Sequence, residues 1–564
     1  MAAAAAAGEW PARGPRARRL EALMTRRGER GGHQGRFLGR IGLLGALAGL
    51  AAAATGCMVG PNYQRPPASA AAAFKEPPPG DWKQAQPRDQ LPHGKWWELF
   101  GDPKLNELEE QVSVSNQSVA QAEAQYRAAR AAAWAARAAL FPTVGAAPTY
   151  SNSRSPVPKG SVVTTAPGSG ASGGAAPVTS ATGSTSSSNF YEFPIDVSYE
   201  VDVWGKVRRQ IESSVATAQA SAADIETIRL SMQAELAVDY FSLRGTDAQK
   251  QLLDSTATAY QKALELTTNR YNQGIASGVD VAQAQTQLET TRAQAIDLGV
   301  QRTQFEHAIA VLAGKAPAEL TLADSPLNLT PPAIPLAVPS ELLERRPDIA
   351  GNERRVAAAN ALIGVQVAAY YPTLSLTASG GFENNSLMNL FSWPNRFWSL
   401  GASLAETIFD AGARHAGVEQ AKANYDATVA AYRQTVLTAF QGVEDNLAAL
   451  RILADEARQQ AAAVAASEKS LALSENRYQG GITTYLEVIT AQATALTNER
   501  TAVDIQTRRM TAAVNLVQAL GGGWQASELP SGGAILMGTA ASDSPKAADT
   551  SKAADAPKAA APPS

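Results

Sequence analysis

Apolar and polar residues alternate with a period of two in three stretches of the chain. Phe193, Ile195, Val197, Tyr199 and Val201 alternate with Pro194, Asp196, Ser198 and Glu200. Leu374, Leu376, Ala378 and Phe382 stand against Thr373, Ser375, Thr377 and Ser379, and Trp398, Leu400, Ala402 and Leu404 against Ser399, Gly401, Ser403 and Ala405. Such alternation gives a strand one apolar and one polar face. At roughly 10 residues each, these strands have the length of membrane-barrel strands. From Trp204 the period lengthens. Val207, Ile211, Val215, Ala218, Ala222, Ile225, Met232, Leu236, Tyr240 and Leu243 keep helical spacing. The pattern predicts a helix to about Asn272, a rod of roughly 100 Å at 1.5 Å per residue. Ala413 to Tyr478 predicts a second such rod. Shorter helices are expected from about Lys104 to Ala139, stopping before Pro142, and from Val279 to Ala313. Stacked end to end, those two match the long helix at roughly 100 Å.

The chain repeats itself. Leu266-Thr-Thr-Asn-Arg-Tyr-Asn-Gln-Gly-Ile275 returns as Leu473-Ser-Glu-Asn-Arg-Tyr-Gln-Gly-Gly-Ile482, an offset of 207 residues that also pairs Gly205 with Gly412 and Gly314 with Gly521. Earlier in each copy the offset is 230, pairing Phe141-Pro-Thr-Val with Tyr371-Pro-Thr-Leu. The 23-residue difference falls between Tyr150 and Phe190, in a run of Ser, Gly, Thr and Ala that reads as a surface loop between two strands. One unit of helix, two strands, long helix, turn and helix is therefore used twice, over residues 104–314 and 341–521, with a linker at 315–340. The fold class expected is mainly α with a membrane β-barrel. Two copies supply only four strands, whereas a barrel needs about eight to close. Open strand edges leave N–H and C=O groups unpaired in lipid, so other copies of the chain must complete the sheet.

The first 56 residues read as a removable leader. Arg26, Arg27, Arg30, Arg36 and Arg40 precede an apolar run from Ile41 to Ala54, too short to span a bilayer comfortably and suited to a signal peptide. Met24 is a second candidate start. No later stretch reaches 18 apolar residues. Without the leader, 40 basic and 49 acidic side chains remain, a net charge of −9 that argues against nucleic acid as partner. The single cysteine and four scattered histidines offer neither an internal disulfide nor metal-ligand spacing. No nucleophile elbow, phosphate loop or dinucleotide fingerprint is present. Neither an enzyme nor a cofactor is expected. Residues 522–564 form a tail, rich in Ala, Pro, Lys and Asp and expected to be disordered from about 531.

Ala54-Thr55-Gly56-Cys57 resembles the end of a bacterial lipoprotein signal. That resemblance implies that Cys57 becomes the first mature residue, carrying a diacylglyceryl thioether and an acyl chain such as palmitate. Met58 in the next position implies export to the outer membrane. The bland alternative is a small buried cysteine. This lipobox, Gly60-Pro61-Asn62-Tyr63, Trp96-Trp97, Arg346-Pro347-Asp348-Ile349 and the duplicated Asn-Arg-Tyr-x-x-Gly-Ile turn together resemble the TolC-like outer-membrane factors, in the NodT-type lipoprotein branch. The resemblance covers residues 57–530. It implies a homotrimer with a twelve-stranded barrel above a twelve-rod α-barrel, a passive exit duct in the outer membrane. It also implies a periplasmic adaptor and a proton-driven inner-membrane transporter as partners.

The turns at the far ends of the rods carry the candidate site: Tyr271, Gly274, Ile275 and Asp280 in the first copy, Tyr478, Gly481, Ile482 and Glu487 in the second. The resemblance implies a periplasmic gate and adaptor contact there. Local chemistry offers a second reading, in which Gly274 and Gly481 close helices. On that reading Ser277-x-x-Asp280 and Thr484-x-x-Glu487 are capping boxes for the returning helices. Gln283 and Thr490 stand where a further acid is common in the family. Asp348 suits the first turn of a helix, and Trp96-Trp97 suits internal packing better than a membrane belt. Two rival functions, a lipid-anchored coiled coil bridging envelope layers and the pump's adaptor, leave the four strands or the second hairpin without a purpose.

Overall fold

The residues with alternating polarity form one antiparallel sheet, and those with helical spacing form rods. The computed structural model describes residues 58–67, 74–76, 94–155, 186–326, 330–334 and 342–537, all within one contact unit, residues 57–564. Cys57, the leader, most of the Ser/Gly-rich loop, parts of the linker and the tail after 537 lie outside the described residues. The first repeat holds α1 (Pro103–Ser115), α2 (Gln117–Ala138), β1 (Thr143–Ala146), β2 (Thr149–Ser155), β3 (Ser186–Val201), α3 (Lys206–Asn272) and α4 (Gly278–Leu312). The second holds a one-turn α5 (Leu342–Arg345), α6 (Pro347–Ala368), β4 (Thr373–Asn384), β5 (Arg396–Ala405), α7 (Ala413–Gln479) and α8 (Tyr485–Ala519). The duplication holds residue for residue in three pairs of helices. α2 and α6 have 22 residues each, α3 and α7 have 67, and α4 and α8 have 35, at the offsets of 230 and 207 read from the sequence. Gly205 and Gly412 open the long helices at φ +80° and +92°, where a side chain would be strained.

The helix expected from Lys104 to Ala139 is two helices. Asn116 ends α1 and caps α2, its Oδ1 accepting from Ser118 N (2.9 Å) and Val119 N (3.2 Å). Its Nδ2 donates to the last turn of α4 at Leu312 O (2.8 Å). The break lets α2 stack on α4 end to end. In the second repeat Arg346 makes the matching joint between α6 and α8, donating to Ala519 O (2.6 Å) while pairing with Asp348 (2.7 Å). Released from the rod, α1 enters a core partway along the helices. Trp96 and Trp97, 1% and 2% exposed, pack there with Leu105, Leu108 and Val112, with Phe241 of α3, and with residues of α7 and α8. The linker joins that core through Leu322 and Ile334. It is held by Asp247, whose carboxylate accepts from Arg244 (3.1 Å), Arg302 (2.8 Å) and Ser325 N (3.0 Å).

β1 and β2 are pieces of one strand interrupted at Ala147-Pro148, since proline cannot donate to the ladder. Both pair with β3, and the sheet runs β1/β2, β3, β4, β5. Cross-strand partners share a face, so register decides the sheet's polarity. Val197 pairs with Ala378 and Ala378 with Leu400, while Tyr199 pairs with Leu376 and Leu376 with Ala402. Asp196, Ser379 and Ser399 form a polar row, as do Glu200, Ser375 and Ser403. The tail follows the fold further than expected. A short helix α9, Gly532–Met537, buries Ile535 (1% exposed) against Ala133 of α2 and Ala218 of α3. Trp134 Nε1 donates to Ile535 O (2.6 Å).

Candidate functional site

At the end of α3 the chain reverses through a left-handed Gly274 (φ +76°), with Ile275 N donating to Arg270 O (2.8 Å). The second copy repeats this at Gly481 (φ +72°), with Ile482 N donating to Arg477 O (2.9 Å). Both are the helix-closing turns that the glycines predict. The two returns then differ. Ser277 and Asp280 form the expected capping box: Asp280 N donates to Ser277 Oγ (3.2 Å) and Ser277 N to Asp280 Oδ2 (2.9 Å). Thr484 makes no such bond, and Glu487 pairs with Arg477 at 3.4 Å. The expected second box is therefore not formed, and the Glu487 carboxylate faces Arg477 instead.

The two tyrosines of the repeated motif also part company. Tyr478 is 7% exposed, whereas Tyr271 is 51% exposed. Arg270 makes the difference. Its guanidinium donates to Tyr478 O (2.9 Å) and lies 4.5 Å from the centre of the Tyr478 ring, a cation–π contact. Tyr478 packs in turn on Tyr485, with ring centres 5.2 Å apart, and Ala284 and Val488 complete the cluster. Burial, and next the neighbouring Tyr478, pushes the Tyr485 phenol up to about 12. Ile275 and Ile482 remain exposed at the turns. Arg270, Arg477 and Tyr485 are site residues that the sequence reading passed over. Both arginines lay inside the quoted Asn-Arg-Tyr motif, but nothing local to it shows that the first reaches across to the other repeat.

At the other end of the rods, the sheet carries an unsatisfied apolar face. Ile195, Trp398, Leu400 and Leu404 are 50%, 76%, 75% and 71% exposed. Among the described residues no helix is long and apolar enough to cross a membrane. The segment that follows Cys57 is seated where sheet and rods meet. Val59 N donates to Trp204 O (3.1 Å), and Arg209, 2% exposed, donates to Val59 O (3.2 Å) and Asn62 Oδ1 (2.9 Å). Gly60 (φ +90°) lies against the backbone of Gly364, and Tyr63 donates to Glu353 Oε1 (2.8 Å). The Gly60-Pro61-Asn62-Tyr63 motif is a strap: glycine for the close approach, the rest for hydrogen bonds to α3 and α6.

The family model described as outer membrane efflux protein matches residues 108–315 and 338–522, the two repeats. The chain belongs to the outer membrane efflux protein family. It is 32% identical over 474 residues to the toluene efflux pump outer membrane protein TtgC of Pseudomonas putida, covering 83% of this chain and 93% of that one. The pyoverdine export outer membrane protein OpmQ of Pseudomonas aeruginosa is 31% identical over 432 residues, covering 76% and 88%. The outer-membrane channel OprN superposes with a TM-score of 0.73 at 31% identity, covering 83% of this chain and all of that one. This efflux protein is thus an outer-membrane channel component of an efflux system, sited in the bacterial outer membrane with a helical extension into the periplasm.

Proposed function

We propose that three copies of the chain close their sheets into one twelve-stranded barrel, continued by a tube of paired rods, and that the assembly is a passive exit duct. The observation that carries this reading is the sheet itself: four strand lanes, one apolar exposed face, and edges at β1/β2 and β5 with no partner among the described residues. A membrane tolerates neither open edge. Substrates are handed to the duct by a periplasmic adaptor and a proton-driven inner-membrane transporter, a reading supported by relatives named for efflux pumps. Relatives named for toluene and for pyoverdine both match this chain over most of their own length, which supports a duct that follows its cargo only loosely. The chemistry here is positional; no bond is made or broken.

Two further assignments belong to this reading. Cys57 carries the lipid anchor, supported by the strap, which fixes residues 58–63 at the junction of sheet and rods, within reach of a bilayer around the sheet. The turns around Tyr271, Gly274, Ile275 and Asp280, and around Tyr478, Gly481, Ile482 and Glu487, form the periplasmic mouth and the adaptor contact, supported by their place at the ends of 67-residue rods. Native mass spectrometry of protein extracted in mild detergent tests the assembly, with three chains expected; a stable monomer overturns it. Intact-mass measurement tests the anchor, with cleavage before an acylated Cys57 expected; an unmodified thiol or a different N-terminus overturns it.

A further inference from the structure

The loop that joins β4 to β5, at the end of the sheet away from the rods, is ordered by its own contacts and lies on one face of the sheet. Two short turns of 3₁₀ helix, Leu387–Asn389 and Trp393–Asn395, shape it. Asn395 Nδ2 ties them together by donating to Asn389 O (2.7 Å) and Ser392 Oγ (2.8 Å). Register fixes which face the loop covers. Phe193, Phe382 and Arg396 form one cross-strand row, on the face that carries Val197, Ala378 and Leu400. Phe391 of the loop packs edge-on against Phe193 and Phe382, with ring centres 5.8 Å and 5.6 Å apart. Trp393 follows it, with the Arg396 guanidinium 3.7 Å from the centre of its ring. The loop therefore folds back over the apolar face.

Charge is divided between the two faces at this rim. Glu192 and Glu383 are register partners in the next row, on the polar face. Arg396 is the one charged side chain on the apolar face among the paired residues of β3, β4 and β5. No acid pairs with it among the described residues, and its guanidinium rests on the Trp393 ring. Height places this cation. Leu404 and Arg396 are eight positions apart on β5, about 27 Å along the strand. At the usual barrel tilt that is about 20 Å of height, close to the whole of a lipid-facing band. Arg396 thus stands at the outer border of the band, where headgroups begin and an arginine costs little. We propose that Arg396 and the β4–β5 loop form a site for a phosphate-bearing lipid of the outer leaflet. The proposal rests on the closed-ring reading above, in which this face meets lipid. The guanidinium offers paired N–H donors that match two phosphate oxygens, and stacking on Trp393 leaves those donors free at its edge. Met388, Phe391 and Trp393, 95%, 65% and 71% exposed, supply apolar surface for the acyl chains.

Lipid retention and fluorescence test the site. Full-length protein in mild detergent is titrated with bis-phosphorylated lipid A, and separately with lipid A stripped of its phosphates, and retained lipid is counted by native mass spectrometry. Expected are retention of the phosphorylated lipid by the parent and roughly tenfold weaker retention by Arg396→Gln. Arg396→Lys should recover part of the difference, and the stripped lipid should bind all three weakly. Equal retention by parent and Arg396→Gln, or of both lipids by the parent, overturns the site. The same spectra count chains: three chains without the lipid difference overturn the site alone, whereas a monomer overturns the closed ring on which it rests. Fluorescence locates the loop independently. In phosphatidylcholine vesicles, the emission lost in Trp393→Phe should be quenched more strongly by brominated acyl chains than by iodide in the water. The reverse order puts Trp393 in water and overturns the docking surface.

Discussion

Glu109 is a buried acid without a counter-charge among the described residues. It is fully buried in α1, and neither carboxylate oxygen has a hydrogen-bond partner among the described residues. Burial holds its carboxyl well above the usual carboxylate range, which favours the neutral acid. The sign follows. Below the unfolded pKa both states are protonated and burial costs nothing in ionisation; above it the unfolded chain ionises and the folded one does not, so stability falls with rising pH up to the folded pKa. Glu109→Gln removes that dependence. Melting of the detergent-extracted protein at pH 5 and pH 8 should show the variant pulling ahead of the parent as pH rises. Parallel curves would mean that the carboxyl is ionised in the fold. Asp247 is the opposite case, a buried carboxylate with two arginines and a backbone amide. Asp247→Ala takes the carboxylate from buried Arg244, while Arg302 keeps Glu306 and Asp324, and should destabilise by about 3 kcal/mol, seen as an earlier unfolding midpoint in denaturant.

Among the elements, the two tip returns look alike in sequence and behave differently. Asp280 supplies the reciprocal half of the capping box on α4, its carboxylate accepting from Ser277 N in the helix's first turn, so Asp280→Ala should cost up to about 1 kcal/mol. Glu487 makes only an exposed pair with Arg477, so Glu487→Ala should change stability by less than about 1 kcal/mol. Single-channel recording tests the gate separately: if Asp280→Asn and Glu487→Gln both leave conductance and cation preference unchanged, the acids lie outside the constriction. The rods, the offset of 207, the strand alternation and both glycine turns were legible because each is a local or periodic signal. The break at Asn116 was also written locally, as an N-cap residue, but unbroken helical spacing on either side masked it. Asp247's partners and Arg270's grip on Tyr478 were not legible, because they join residues 55 and 208 positions apart. Thr484-x-x-Glu487 is correct as a pattern but forms no side-chain cap in the fold, and Glu487 faces Arg477 of the preceding helix instead.

For the molecule as a whole, the sheet's two faces decide what is lipid and what is water. Leu400 sits mid-strand in β5, in the row with Ala378 and Val197, while its neighbour Ser399 joins Ser379 and Asp196 on the other face. If the barrel turns its apolar face outward, an arginine at Leu400 enters hydrocarbon near the midplane, where a charge costs about 2–4 kcal/mol. On the same assumption an arginine at Ser399 enters a water-filled lumen, in the polar row with Ser379 and Asp196, and costs little. Leu400→Arg should therefore reduce the fraction of SDS-resistant oligomer recovered from outer membranes. Ser399→Arg should leave that fraction unchanged and shift the open channel's ion preference toward anions, since three added cations would ring the lumen. The same side-chain change one residue apart thus gives two readouts, assembly and selectivity. Equal loss of oligomer from both variants would mean that the polar face is not a lumen, and that the sheet packs on both sides.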